Sequence, residues 1–202
     1  MTERQRKVLT SIFLFMLLSS LPCPTSSSWA LPAEDVQIIA DAQYFQTAQK
    51  LIREAKETIR VMMFEMGYYE EHPNTPSNLL VRELVEAQKR GVKVEVILEA
   101  RDDQDRTTKR NRRTAKVLME GGVDVIYDPL FKTTHAKLMI VDGKFTLVGS
   151  TNWTYYALTN NHEVSLLVRS KEVARELIEY FNRVKSAGTP ASTDRHHPTR
   201  KE

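Results

Sequence analysis

Apolar runs typical of buried strands alternate with runs of helical periodicity, and this alternation restricts the possible fold more than any other feature. The apolar runs predict strands at residues 36–40, 59–66, 92–98, 123–127 and 164–168. Amphipathic periodicity predicts helices at residues 44–57, 79–90, 107–120 and 171–185, two of which are followed by glycine. Strands that alternate with helices form layered domains. We therefore predict an α/β domain in which helices flank a mixed central β-sheet.

One segment of the predicted sheet concentrates polar side chains. His135, Lys137 and Asp142 are spaced H-x-K-x4-D, and the run G-S-T-N at residues 149–152 and Glu163 follow. Residues two apart on a strand point to the same face, so the imidazole and the ammonium project together. The pair Asp142-Gly143 is a hairpin turn signal. A returning strand at residues 144–148 therefore brings Ser150 and Asn152 back beside His135 and Lys137.

These side chains suit a phosphate diester. A lysine ammonium, a hydroxyl and an amide offer hydrogen-bond donors to phosphate oxygens, which assigns Lys137, Ser150 and Asn152 to phosphate binding. A neutral imidazole can attack phosphorus, which makes His135 the candidate nucleophile. Glu163 would fix the tautomer of His135 by accepting its other ring N–H. The segment has no paired carboxylates for Mg²⁺, so cationic side chains would stabilise the transition state instead.

Asp142 belongs to the same candidate catalytic motif but requires a different interpretation. It follows Lys137 by five positions, which is about 16 Å along an extended strand. One phosphate cannot contact both ends of such a strand. We therefore expect Asp142 to anchor the turn or a neighbouring segment.

The complete pattern, H-x-K-x4-D followed by G-S-x-N and a downstream glutamate, resembles the signature of the phospholipase D superfamily, the HKD phosphodiesterases. In size and layout, residues 36–185 resemble its small bacterial nuclease branch, which has one motif per chain. The resemblance implies a phospholipase D-like fold and a homodimer whose two motifs meet across a two-fold axis. It also implies that His135 of one protomer forms a phosphohistidine while His135 of the other protonates the leaving oxygen. No metal or cofactor is expected.

The substrate is less constrained than the chemistry, because the family acts on several diesters. Nucleic acid is favoured by the resemblance to small exported nucleases and by a basic segment. Four of its residues share one face of the predicted helix: Arg106, Lys109, Arg110 and Arg113. This face would bind a phosphate backbone, or it is simply a solvated surface. One alternative is a phospholipase acting on lipid head groups. Another is a nucleic-acid-binding or membrane-tethered protein that keeps the motif without turnover.

Several residues near the motif have two open interpretations. Glu65 either faces the site or only ends a strand, and the turn-rich loop at residues 68–76 either rims a substrate groove or is a solvated connection. Four aromatic residues flank the motif: Phe131, Trp153, Tyr155 and Tyr156. They can stack on unpaired bases or pack in the core or a dimer contact. We expect packing for at least two of them.

Residues 1–30 are typical of a secretion signal. Arg4, Arg6 and Lys7 precede the apolar stretch 8–21, and Ser28-Trp29-Ala30 offers a small–x–small cleavage pattern. The stretch is shorter than the ~20 residues that span a bilayer. We predict an exported protein, periplasmic or secreted, with an uncleaved membrane anchor as the alternative. One catalytic domain would then occupy residues 31–185, and a disordered polar tail residues 186–202.

Charge and cysteine content limit the remaining possibilities. The formal net charge is +3, and the first thirty residues contribute +2 of it, so overall charge supports a nucleic-acid partner only weakly. The only cysteine, Cys23, lies within the predicted signal. Its removal would exclude a disulfide framework and a cysteine nucleophile from the mature protein.

Overall fold

The computed structural model describes residues 30–101 and 104–193 of the chain. In this part, one mixed sheet contains eight strands in the order β1-β7-β6-β5-β2-β3-β4-β8. The strands are β1 (Asp35–Ala40), β2 (Thr58–Met63), β3 (Lys93–Leu98), β4 (Asp124–Tyr127), β5 (Lys137–Val141), β6 (Phe145–Gly149), β7 (Val164–Arg169) and β8 (Thr189–Pro190). The neighbours β2, β3 and β4 are parallel, and the remaining pairs are antiparallel.

Helices connect and cover these strands. They are α1 (Gln43–Glu54), α2 (Pro76–Lys89), α3 (Arg106–Glu120), α4 (Tyr155–Thr159) and α5 (Lys171–Ala187), with a 3₁₀ turn at Ala191–Thr193. The side chain of Asp105 caps α3 by accepting a 2.8 Å hydrogen bond from the Thr108 N–H. The predicted α/β architecture with a mixed central sheet is confirmed.

The two faces of the sheet are covered unequally. On one face, apolar residues of α1, α2 and α3 pack against the strands in the main core, where Ile52, Leu84 and Leu118 are buried. On the other face, α5 places Ala174 and Phe181 against the central strands. The outer strands β1 and β7 extend beyond this second cluster. Their solvent-facing apolar side chains form an edge patch, defined here as Val36, Ile38, Val164 and Leu166.

Strand β2 ends at Met63, three residues before the predicted end. The difference has a side-chain cause. The Asn111 amide of α3 accepts a 2.8 Å hydrogen bond from the Met66 N–H and donates to the Phe64 carbonyl. The Met66 N–H and the Phe64 carbonyl therefore pair with a side chain and not with a neighbouring strand. Local apolar periodicity cannot reveal such a contact.

The predicted disorder of the polar tail is wrong for its first eight residues. Helix α5 continues to Ala187, β8 pairs with β4, and Ala191 is buried. The prediction of disorder used polar composition alone. Composition does not show that the free edge of β4 offers hydrogen bonds to this segment. The remaining tail residues lie outside the described part of the chain, as does the predicted signal apart from Ala30. Within the described ranges, no helix combines the length and the apolar character that a membrane crossing needs.

Candidate active site

The β5–β6 hairpin places His135 and Lys137 at one end of the sheet. The Phe64 N–H donates to the Ala136 carbonyl at 3.1 Å, which fixes the residue between them against the end of β2. The Lys137 side chain is buried, and its Nζ donates to the His135 carbonyl at 2.7 Å. The same Nζ lies 3.3 Å from Nδ1 of the His135 ring. The predicted imidazole–ammonium pair is therefore formed within one chain.

A phenylalanine forms the floor of this pair. The Phe64 ring contacts the His135 imidazole at a centroid distance of 4.5 Å. Lys137 Nζ lies 4.9 Å from the Phe64 centroid, and the Arg101 guanidinium lies 5.9 Å from it. Cations over an aromatic face are attracted by its quadrupole. Phe64 thus orients the imidazole and accommodates two positive charges beside it.

The pKa values of the imidazole and the ammonium both fall. Burial lowers the pKa of His135 first, and the charges of Lys137 and Arg101 lower it further, while Glu99 acts in the opposite direction. Burial also lowers the pKa of Lys137, although Glu163 and Glu65 oppose that change. A lowered pKa favours the neutral form of the imidazole at neutral pH.

The residues after β6 return to the site through a tight backbone approach. A side chain at Gly149 would lie 2.2 Å from Ser165 Oγ and 2.4 Å from the Val164 carbonyl, so only glycine fits. The Trp153 N–H then donates to the Glu65 carbonyl at 3.0 Å, and the buried indole donates to the Tyr44 hydroxyl at 3.0 Å. These contacts hold the segment between them, residues 150–152, beside the end of β2.

Ser150 and Glu163 form a hydrogen-bonded pair. The Ser150 hydroxyl donates to the Glu163 carboxylate, and the Asn161 amide donates to the same carboxylate at 3.1 Å. The Glu163 N–H donates to Asp41 Oδ1 at 2.8 Å, which fixes the backbone. In the described part of the chain, we find no hydrogen bond between Glu163 and His135. The predicted orienting role of Glu163 therefore stays a prediction for the assembled site.

Asn152 and Glu65 also reach this end of the sheet. Asn152 Oδ1 is buried and has no hydrogen-bond partner among the described residues. Glu65 lies close enough to Lys137 for its negative charge to oppose the fall in the pKa of that lysine. It also accepts a hydrogen bond from Arg110. Of the two interpretations of Glu65, the structure supports the one in which it faces the site.

Asp142 lies at the opposite end of the hairpin. Its carboxylate accepts hydrogen bonds from the backbone N–H groups of Lys56, Glu57 and Thr58 at 2.8 to 3.0 Å. Its own φ of 51° and the φ of 57° at Gly143 form the turn. The expectation that Asp142 anchors the turn and a neighbouring segment is confirmed. Its hydrogen bonds are those of a structural anchor, at the end of the hairpin away from His135.

A groove opens beside the site, with a volume of about 1020 Å³. Its lining includes Glu65, His72, Arg106, Arg110, Tyr155 and Tyr156. The loop at residues 68–76 therefore rims a groove, as one of its two interpretations predicted. Lys109 and Arg113 lie on the adjoining surface of α3 and are exposed. All four predicted cations thus border the groove or the surface next to it.

The expectation that at least two flanking aromatic residues pack, in the core or in a dimer contact, is met by one residue within the protomer and stays a prediction for a dimer contact. Trp153 alone of the four is buried. Tyr155, Tyr156 and Phe131 are 43%, 68% and 82% exposed. The two tyrosines meet edge to face, with centroids 5.4 Å apart. They line the groove, where an unpaired base can reach them.

Sequence reasoning missed a pair of buried carboxyls behind His135. Glu99, just after β3, and Asp128, just after β4, are both fully buried. Both accept from the Thr134 N–H, at 2.6 and 2.9 Å. The available signal was an acidic residue directly after each of two parallel strands. The carboxyl ends of parallel strands meet at one edge of a sheet, which brings such residues together. Phe64 and Arg101 were missed because neither lies in the motif.

Comparisons with known proteins agree with this geometry. A family model described as Cardiolipin synthase, PLD-like domain, matches residues 48–185. The mitochondrial cardiolipin hydrolase of Canis lupus familiaris is 37% identical over 68 residues, which is 34% of this chain and 27% of that protein. The phospholipase D of Rickettsia prowazekii (strain Madrid E) is 27% identical over 133 residues, covering 65% of this chain and 58% of its own length. This chain therefore matches only part of each curated relative.

A solved structure extends the likeness to the whole fold. Nuc from Salmonella typhimurium, a phospholipase D family member, superposes with a TM-score of 0.66 over 77% of this chain and 97% of its own. The sequence identity is 24%, so this likeness concerns the fold. The family model, in contrast, covers more than half of the sequence. The chain therefore belongs to the phospholipase D superfamily.

Proposed function

We propose that this protein is an exported, metal-independent endonuclease that hydrolyses DNA at a site shared by two copies of the chain. The observation that carries the choice of substrate is the groove beside Lys137, which combines arginines with exposed tyrosines. Arginines bind backbone phosphates, and tyrosine rings stack on unpaired bases. A nucleic acid strand matches both features at once.

In the proposed reaction, His135 Nε2 attacks phosphorus and the bond to the leaving oxygen breaks. The protonated His135 of the second copy gives its proton to that oxygen, and Lys137 and Asn152 bind the remaining phosphate oxygens. The second imidazole, now neutral, removes a proton from water. The resulting hydroxide forms a bond to phosphorus and displaces the first imidazole, which restores both groups.

This scheme requires the Nδ1 atom of the attacking ring to carry a proton. Within one protomer, Nδ1 faces the Lys137 ammonium, which can only donate. Nδ1 must therefore turn to an acceptor when the site assembles. We assign that role to Glu163, whose carboxylate is already held near Lys137 by Ser150.

The edge patch supports the proposed homodimer. Ile38 pairs with Leu166, and both are exposed, at 71% and 40%. Val164 directly follows Glu163 and is 56% exposed, so the patch extends to the site. A contiguous apolar surface on a soluble protein is typical of an interface. A second copy seated on this patch would bring its own His135 to the end of the sheet where the first one lies.

A phospholipase is the second candidate. The observation that favours it is the 37% identity to a protein named mitochondrial cardiolipin hydrolase. The deciding experiment incubates the purified protein, in excess EDTA, with labelled single-stranded DNA, duplex DNA, RNA and cardiolipin vesicles in parallel. We expect DNA cleavage, and none by the His135→Ala variant. Cleavage of lipid alone would overturn the nuclease proposal, and loss of all activity in EDTA would overturn metal independence.

The shared site is tested by mixing wild-type protein with His135→Ala protein during refolding. If every centre needs two histidines, activity falls with the square of the wild-type fraction. Independent sites would give a linear decrease and contradict the proposal. As a second test, Ile38→Glu places a charge in the edge patch and should yield inactive monomers, measured by light scattering.

A further inference from the structure

The carboxyl pair, Glu99 with Asp128, accepts hydrogen bonds from the backbone that leads directly into His135. Besides the shared Thr134 N–H, Asp128 Oδ1 accepts from the Ala100 N–H at 2.9 Å. Both carboxyls therefore connect the ends of their strands, β3 and β4, to Thr134, the residue before His135. Asp128 also connects the end of β4 to Ala100, which follows β3. Two anions side by side in a buried position would repel each other strongly.

A retained proton relieves this repulsion. Burial and the hydrogen bond with Glu99 raise the pKa of Asp128 to about 8, far above its ordinary value of 3.8. A protonated Asp128 carboxyl can donate to Glu99 instead of repelling it. Arg101 Nε also donates to Glu99, at 2.7 Å.

We propose that the carboxyl pair, by sharing one proton, is a positioning device. It holds His135 and Arg101 where catalysis needs them, and it lets them move when the shared proton is lost. His135 is held through the Thr134 N–H, and Arg101 through its bond to Glu99. Arg101 and His135 both contact the Phe64 ring. A change in the position of one would therefore change the position of the other through this ring. This inference rests on the proposed role of His135 as nucleophile.

Other charged groups near the pair must be separated from its effect. Arg101 faces it from the end of β3, Asp105 acts on Arg101 from the start of α3, and His135 faces it from the start of the hairpin. Lys137 lies across the Phe64 ring, and its own lowered pKa adds to any loss of activity at high pH. A comparison of variants therefore isolates the contribution of the pair better than the wild-type profile alone.

The sharpest variant is Asp128→Asn, because its amide nitrogen can donate to Glu99 at every pH and its oxygen can still accept from Ala100, while the Thr134 N–H keeps Glu99 as its acceptor. For a small diester, bis(p-nitrophenyl) phosphate, we expect the wild-type rate to fall roughly 10-fold between pH 7 and pH 9.5, a typical cost of a small misplacement. Asp128→Asn should keep the pH 7 rate within about twofold and lose most of this decrease. Superimposable profiles would overturn the proposal, as would a wild-type rate that shows no ionisation near pH 8.

Glu95 provides a matched control, since it is a buried carboxylate of β3 that lies four residues before Glu99, toward the other end of the strand. It is bound by Arg60, Lys93 and Lys185. Glu99→Gln should lower the pKa of the His135 imidazole, measured by NMR, because it removes a nearby negative charge, whereas Glu95→Gln should leave it unchanged. An equal effect of both variants would show a merely structural role. This readout needs no turnover, so it stays informative even if the substrate proposed above is wrong.

Discussion

The β5–β6 hairpin carries residues of one motif at its two ends, and the two ends differ in how their polar groups are satisfied. At the turn, the Asp142 carboxylate is matched by three backbone N–H donors. At the other end, Lys137 carries its ammonium in a buried position and Asn152 Oδ1 has no partner among the described residues. A fully satisfied group stabilises the fold, whereas a buried charge or an unpaired polar atom costs stability and points to a functional site. The motif therefore combines an anchor with the proposed reaction centre.

Replacing His135 tests the reaction centre most strongly. His135→Ala should reduce the rate by ~10⁴-fold or more, because it removes the nucleophile and its counterpart in the partner. Since the side chain is exposed, the free energy of unfolding should change by less than about 0.5 kcal/mol. His162→Ala, at a fully exposed histidine, is the matched control and should retain activity. A large loss of stability in His135→Ala would remove the distinction between the two ends.

Lys137→Met should separate activity from stability at the same end. We expect kcat to fall by ~10²- to 10³-fold, since a positioned cation is lost from the transition state. Stability should stay the same or increase, because methionine fills a similar volume and carries no charge to bury. Steady-state kinetics and thermal unfolding of one preparation check both. A stability loss above about 1 kcal/mol would mean that Lys137 also acts as an anchor.

The opposite behaviour is expected at the turn. Asp142→Ala leaves three N–H groups without their acceptor and places alanine at a φ of 51°, so unfolding should require about 2–4 kcal/mol less. Asp142→Asn keeps one acceptor and should lose about half as much. Denaturant unfolding measures the change. The activity of the folded fraction should stay within about twofold, and a greater decrease would give Asp142 a part in catalysis.

The smallest effect is expected beside the reaction centre, in the groove. Tyr155→Ala should weaken the binding of single-stranded DNA by about 1–3 kcal/mol, a typical value for one stacked base. Hydrolysis of bis(p-nitrophenyl) phosphate should be unaffected because that diester does not need the groove. Tyr180→Ala is the control, since Tyr180 is similarly exposed but lies on α5. Equal DNA affinities of both variants, measured by fluorescence anisotropy, would contradict base stacking at Tyr155.

The sequence by itself determined the α/β class, the hairpin and the pairing of His135 with Lys137. These features depend on periodicity and on spacings of a few residues, which covalent geometry carries directly into structure. It also predicted that Asp142 is structural, because the length of a strand separates it from the imidazole.

Only the tertiary structure decided which distant residues surround that group. Phe64, Arg101 and the carboxyl pair reach His135 because β5 pairs with β2, β2 pairs with β3, and β3 pairs with β4. The groove likewise joins α3, the loop before α2 and the start of α4. Strand order and helix packing are set by the total burial of many side chains, so no short stretch of sequence encodes these contacts.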